Sequence, residues 1–306
     1  MSYKKTLQEM NLLDRFLFAE VMEDNETLEN VLEIIQGYPV PLEDKAQAEK
    51  EFRRMPRNKR VFFDVYGEDL RNAVYDVEAQ KENTHDFPKR TRYYNGMVEM
   101  NMLRPGEDYN KLKDVYIIMI MPFDLFGEGR YRYTFHMICD EIPGLNLGDR
   151  VTRIFLNTQG RIKDGVSVEL IQMLKYFENT TKETAAESQS EKIRQLEKRV
   201  EETKANEEVG IRFMNAFEEK MRERQEVREE GREEGLAEGE RIGETRGKSL
   251  GEAAKQQEIA RKMLEEGLDL ENNRTDPEED SIIVNEKGML LERIRFVNAT
   301  SPSFYS

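Results

Sequence analysis

The apolar positions of this chain change their period along its length, and each change marks an element. Leu12, Leu13, Phe16, Leu17 and Val21 recur at helical spacing. Leu28, Val31, Leu32, Ile34 and Ile35 form a second amphipathic piece ending near Gly37, with Pro39 and Pro41 beyond. Residues 6–36 are therefore read as helix, opened by Thr6 and Glu9 at the spacing of a capping box. Residues 61–66 and 73–80 read as two short strands joined by a polar turn. Helix is predicted again from about Lys89 to Leu103, closed by Pro105-Gly106. Residues 114–121 are a continuous apolar run bounded by Pro122, the pattern of a strand covered on both faces. Strands are predicted over 131–138 and 150–157, on either side of Pro143-Gly144, and helix over 164–178.

The pattern thins after Asn179. Residues 181–230 are dominated by Glu, Lys, Arg, Gln and Ala, with sparse apolar positions at Ile193, Leu196, Val200, Ile211, Phe213, Met214 and Phe217. A long helix with a narrow seam, of coiled-coil character, is expected there. Gly231, Gly235, Gly239, Gly243, Gly247 and Gly251 then recur every fourth residue. Six helical glycines would cost roughly 5 kcal/mol against alanine, so the stripe calls either for a closely packed neighbour or for fraying. Residues 256–268 read as a short amphipathic helix and 271–306 as an irregular tail. The expected organisation is a domain over 1–180, a charged helical segment over 181–270 that serves as a homo-oligomer contact, and the tail.

The hairpin carries the candidate chemistry. Asp76, Glu78 and Gln80 are two residues apart, so in a regular strand they share one face. The partner strand brings Asp64 beside that face. Clustered carboxylates repel unless a proton or a cation lies between them, and all-oxygen clusters suit magnesium or calcium. A polar hairpin face turned to solvent would carry the same residues.

Asp64, a hairpin, then Glu78-Ala79-Gln80 resembles the motif of the PD-(D/E)XK nuclease superfamily, in the branch of Rpn-type recombination-promoting nucleases and transposases. In that branch the final lysine of the motif is commonly a glutamine, as at Gln80. Further matches follow in order: Arg90-Thr-Arg92-Tyr93-Tyr94, Lys113 through Pro122-Phe-Asp124, Tyr133-Thr-Phe135 with Cys139-Asp-Glu141, and Ile154-Phe-Leu-Asn157. The resemblance covers roughly residues 10–180. It implies an α/β fold with a restriction-endonuclease-like αβββαβ core and a mixed central sheet. It also implies a metal-dependent DNA endonuclease linked to recombination, with DNA as partner and Mg2+ as cofactor, Mn2+ and Ca2+ being alternatives. Asp64, Glu78 and the backbone carbonyl of Ala79 would hold the ion, and Gln80 would orient water or a phosphate oxygen. Asp76 and Glu20 are candidate accessory acids. The rival expectation is a catalytically inactive nucleic-acid-binding or assembly protein that oligomerises through residues 181–270.

Composition modifies this picture in two ways. The net charge is −15 over 306 residues, with 31 acidic and 25 basic side chains in residues 1–180 and 31 and 22 in the remainder. A chain that grips phosphates usually shows a basic footprint, and one local exception exists. Arg53, Arg54, Arg57, Lys59 and Arg60 precede Asp64, and Lys89, Arg90 and Arg92 follow the second strand. They form either a DNA-binding rim or an ordinary solvated charge run. The single cysteine, Cys139, excludes an internal disulfide framework and is expected to be buried. Two histidines are too few for a histidine-rich metal site, and neither a P-loop nor a nucleophile elbow is present. No secretory signal is seen, the longest apolar run is too short to span a bilayer, and a cytoplasmic location is expected.

Overall fold

The computed structural model describes residues 6–52, 61–265, 281–284 and 290–294. The expected first helix is broken into two, α1 (Arg15–Met22) and α2 (Asn25–Gln36), after a short 3-10 turn over Leu7–Glu9. The break follows from capping. The Asp24 side chain accepts from the Thr27 amide and starts α2 afresh, and Gly37, at φ 80°, ends it in the left-handed region. The Thr6–Glu9 capping box forms, but it closes the 3-10 turn.

Strands β1 (Gln47–Phe52), β2 (Val61–Glu68), β3 (Ala73–Ala79), β4 (Asp114–Met121), β5 (Arg132–Phe135) and β6 (Val151–Asn157) make one sheet in the order β1-β2-β3-β4-β6-β5. The β1–β2, β2–β3 and β5–β6 pairs are antiparallel, whereas β3–β4 and β4–β6 are parallel. The α/β expectation therefore holds, with the mixed sheet and the αβββαβ order. Helices α3 (Phe87–Glu99) and α4 (Val168–Glu178) follow the predicted segments closely. Strand β1 was not anticipated, because Gln47-Ala-Glu-Lys-Glu is too polar to announce a strand. It lies at the sheet edge, where charged residues suit an exposed ladder. Strand β5 stops at Phe135. Cys139 lies beyond it, only half-buried, and its thiol donates to Glu141.

Two apolar layers cover the sheet. Val65, Tyr75, Val77, Ile118, Ile120 and Leu156 pack under α1, α2 and α4. Val74, Ile117, Met119 and Phe155 pack under Phe87, Tyr94, Met97 and Val98 of α3. Strand β4, central between β3 and β6, contributes to both layers, as its unbroken apolar run requires.

The segment after residue 180 behaves differently from a separate coiled coil. Helix α5 (Lys182–Ala186) is followed by α6 (Glu191–Ala205), whose Ile193, Leu196 and Val200 are buried in the first apolar layer. The Tyr176 hydroxyl of α4 hydrogen-bonds Glu197 of α6. Helix α7 (Glu207–Glu265) begins by burying Val209 and Phe213, the latter with its ring 5.4 Å from Phe16. The first compact unit thus runs Met1–Glu218. The thin seam packs on this domain because it spans only α6 and the first turns of α7.

In the second unit, Glu219–Ser306, α7 is exposed from Glu219 to Lys255 and helical through all six glycines. Nothing lies within 4 Å of where a Cβ would stand on any of them. Ion pairs such as Lys248–Glu244 and Lys262–Glu258 run along it at i,i+4 spacing, each worth about 0.3–0.5 kcal/mol. In the segment read as an irregular tail, β7 (Ser281–Val284) and β8 (Leu290–Ile294) pair antiparallel. Short apolar runs set between charged flanks hid this pair from the sequence reading.

Candidate metal centre at the fork of two strands

Strands β2 and β3 are paired in register from Glu68↔Val74 to Val65↔Val77, and the ladder stops there. One residue further on, the backbone donors turn to side chains. The Asp64 amide donates to Glu78 Oε1 at 3.0 Å, and the Ala79 amide donates to Asp64 Oδ2 at 3.2 Å. The two strands fork at this point, and the two carboxylates fill the fork. Strand β1 contributes to the distortion. Ala48↔Val65 and Lys50↔Phe63 bracket Glu49, which therefore lies opposite Asp64, and Glu49 adopts φ 49°. A left-handed glutamate inside a strand marks local strain. Phe63 and Val65, two residues apart, pack into opposite layers across this point.

The predicted residues distribute as follows. Asp64 and Glu78 converge, and both side chains are 1 % exposed. Gln80 joins them through Nε2, which donates to Glu78 Oε2 at 3.1 Å. Asp76 is fully buried one step deeper, opposite Tyr66, and neither of its oxygens has a hydrogen-bond partner. Glu20 is held by Arg212 through two hydrogen bonds of 2.8 and 2.6 Å. It lies more than a turn beyond Arg15 on α1. Arg53, Arg54, Arg57, Lys59 and Arg60 lie outside the described residues. Arg92 is exposed on α3, whereas Arg90 is tucked in, its guanidinium carbon 4.4 Å from the Phe87 ring centroid. Arg90 Nε and Nη2 are buried without hydrogen-bond partners. Tyr94 is packed against Phe63 at 5.1 Å and Tyr93 is exposed.

Two neighbours escaped the sequence reading. Arg15, the first residue of α1, places Nε 2.6 Å from Asp64 Oδ1, with its own side chain 48 % exposed. The approach is not aligned as a hydrogen bond, and Oδ1 is left without one. Glu49 joins the same electrostatic group, adding its charge beside Arg15 and Asp64. Neither has a periodic signal, since Arg15 sits at a helix start and Glu49 in an edge strand that the pattern did not disclose.

The two carboxylates are closed off, not part of a polar hairpin face turned to solvent. Burial drives the consequence. It pushes Asp64 up to about 6, against the opposing pull of Arg15 and the Ala79 amide. Burial, then the charge of Asp64, pushes Glu78 up to about 8. Asp76 is raised well above the ordinary carboxylate range by burial and then by Glu78 and Asp64. Three acids that resist ionisation beside one another form a site short of positive charge. Among the described residues no three His, Cys, Asp or Glu side chains are gathered as a ready metal cage. Two carboxylates, Asp64 and Glu78, meet here. Hard oxygen donors and a carboxylate oxygen lacking its hydrogen bond fit a divalent ion.

The family model for PD-(D/E)XK nuclease family transposases matches residues 15–230, a span that includes the fork, all six strands of the sheet and the start of α7. The chain belongs to that family. Proteins of this nuclease family typically use divalent metals and act on DNA. No curated protein and no solved structure matches the chain. No helix among the described residues is long and apolar enough to cross a membrane.

Proposed function

We propose that this protein is a divalent-metal-dependent DNA endonuclease, serving recombination or transposition, with Mg2+ as the working ion and Mn2+ or Ca2+ able to bind the same position. The observation that carries the reading is the fork, where a ladder of backbone hydrogen bonds gives way to two buried carboxylates of the family's motif. Asp64 and Glu78 hold the ion, with the carbonyl of Ala79. A bound divalent ion supplies Lewis acidity and makes hydroxide available near neutral pH.

The remaining steps fall to the side chains. Gln80 has a neutral amide, so it neither takes a proton nor adds positive charge. Through its tie to Glu78 it is held at the site, where it orients the attacking water or a phosphate oxygen. Arg90, its Nε and Nη2 buried on the α3 side, adds its positive charge to that of Arg15 beside the acids. Asp76 lies one step deeper on the same strand as Glu78, fully buried, and burial raises it well above the ordinary carboxylate range. Arg53, Arg54, Arg57, Lys59, Arg60 and Arg92 supply DNA contacts, and the helical segment over 181–270 mediates self-association.

Incubation of the purified chain with supercoiled plasmid tests the reading. Nicking is expected with magnesium or manganese, none with EDTA, and none from Asp64→Asn or Glu78→Gln in any metal. Binding of plasmid without cleavage in every metal would favour an inactive DNA-binding or assembly protein instead. The closed carboxylates are the feature that favours that second reading.

A further inference from the structure

Arg15 occupies an unusual position for a half-exposed cation. Its Nε contacts Asp64 Oδ1 at 2.6 Å, and Asp64 is the acid with which it makes an ion pair among the described residues. The contact lies off the hydrogen-bond direction. The backbone beneath it is fixed. Asp14, the residue before it, accepts from the Asn11 amide at 3.0 Å and pairs with Lys81 at 2.6 Å. The start of α1 is therefore anchored to the end of β3 while the arginine side chain reaches outward from it. An anchored backbone and a half-exposed side chain with one misaligned ion-pair contact, to Asp64, describe a group that can leave without disturbing its surroundings.

We propose that Arg15 is a built-in counter-ion that holds the divalent-ion position in the metal-free protein and is displaced when an ion binds Asp64 and Glu78. This rests on the metal reading above. Two buried carboxylates repel unless a proton or a cation offsets them, and Arg15, with its side chain half exposed, brings a cation to Asp64. A divalent ion brings twice the charge and makes inner-sphere bonds to the same oxygen, so the two cations compete for Asp64. Once released, the guanidinium stands at the mouth of the fork, where the planar group can meet an incoming phosphate.

Calorimetric titration of magnesium into the full chain tests this directly. Arg15→Gln should bind magnesium roughly five- to tenfold more tightly than the unaltered protein, since a partly exposed ion pair of about 1 kcal/mol no longer competes. Arg15→Lys, which keeps the charge, should bind like the unaltered protein, and Asp64→Asn should not bind. A second measurement needs no variant. Phenylglyoxal modification of Arg15, followed by peptide mass mapping, should speed up when magnesium is added to the unaltered protein. Equal or weaker binding by Arg15→Gln, with modification unchanged by magnesium, overturns the role of Arg15 while the metal site stands. Failure of both the unaltered protein and Arg15→Gln to take up magnesium overturns the metal site and the counter-ion together.

Discussion

Asp64 and Glu78 are cross-linked through backbone amides: Glu78 Oε1 accepts from the Asp64 amide, and Asp64 Oδ2 accepts from the Ala79 amide next to Glu78. Each acid thus fixes the strand that bears the other. The site and the end of the β2–β3 ladder are one structure, and a change to either carboxylate is felt by both strands.

This reciprocity separates stability from activity. Replacing Glu78 by glutamine removes a buried charge but keeps a carbonyl oxygen able to accept from Asp64. Thermal unfolding in EDTA at pH 8 should show Glu78→Gln at least as stable as the unaltered protein, while cleavage is lost. Glu78→Ala leaves the Asp64 amide buried without an acceptor, which should cost about 1–3 kcal/mol. Equal melting of the two variants would count against the fork geometry.

The raised acids set a pH dependence. Asp64 and Glu78 bind protons more tightly when folded, at about 6 and about 8, than their ordinary values of 3.8 and 4.5. Their contribution to stability is fully present below about pH 4 and is lost as pH rises through 6 and then 8. Between pH 5 and 9 the metal-free protein should therefore lose stability from these groups. Added magnesium should raise the melting temperature more at pH 8 than at pH 6, because protons compete with it at the lower pH. Differential scanning calorimetry with and without EDTA measures both trends.

The helices after residue 180 make a prediction about the domain boundary. Leu196 is buried in the first apolar layer, and Phe213 packs on Phe16. Leu196→Ala should destabilise the domain by about 2–5 kcal/mol and Phe213→Ala by about 3 kcal/mol. A chain ending at residue 180 should bind a hydrophobic dye and melt without cooperativity, whereas one ending at 218 should unfold in a single transition.

The glycine stripe can be tested separately. Within one chain a Cβ on Gly235, Gly239 or Gly243 meets nothing. Alanine at all three should raise helix content and stabilise α7 by about 0.8–1.0 kcal/mol per site. If the stripe is the contact between copies, sedimentation should show the same triple variant dissociating at higher concentration than the unaltered protein.

Much of the fold is legible in the sequence where period and burial agree. The unbroken run of β4 and the alternation of β3 declare themselves, as do the apolar faces of α3 and α4. Glu78 and Gln80 are legible too, since a two-residue spacing puts them on one face. Strand β1 is not, because an edge strand has little apolar surface to show. The break between α1 and α2 depends on one cap at Asp24. Arg15 and Glu49 reach the site through tertiary placement, the one from a helix start and the other from a distorted edge strand. Within the narrow seam expected over residues 181–230, Ile193 and Leu196 pack on the domain, because sparse apolar positions suit packing on a domain as well as on another helix.

The central claim is that Asp64 and Glu78 share one divalent ion. Crystals of the protein grown with manganese, with data collected at the manganese absorption edge, test it most directly. One anomalous peak is expected in the fork, about 2.1–2.2 Å from a carboxylate oxygen of each residue, with Arg15 moved away from Asp64. No peak between these two side chains at saturating manganese would contradict the account.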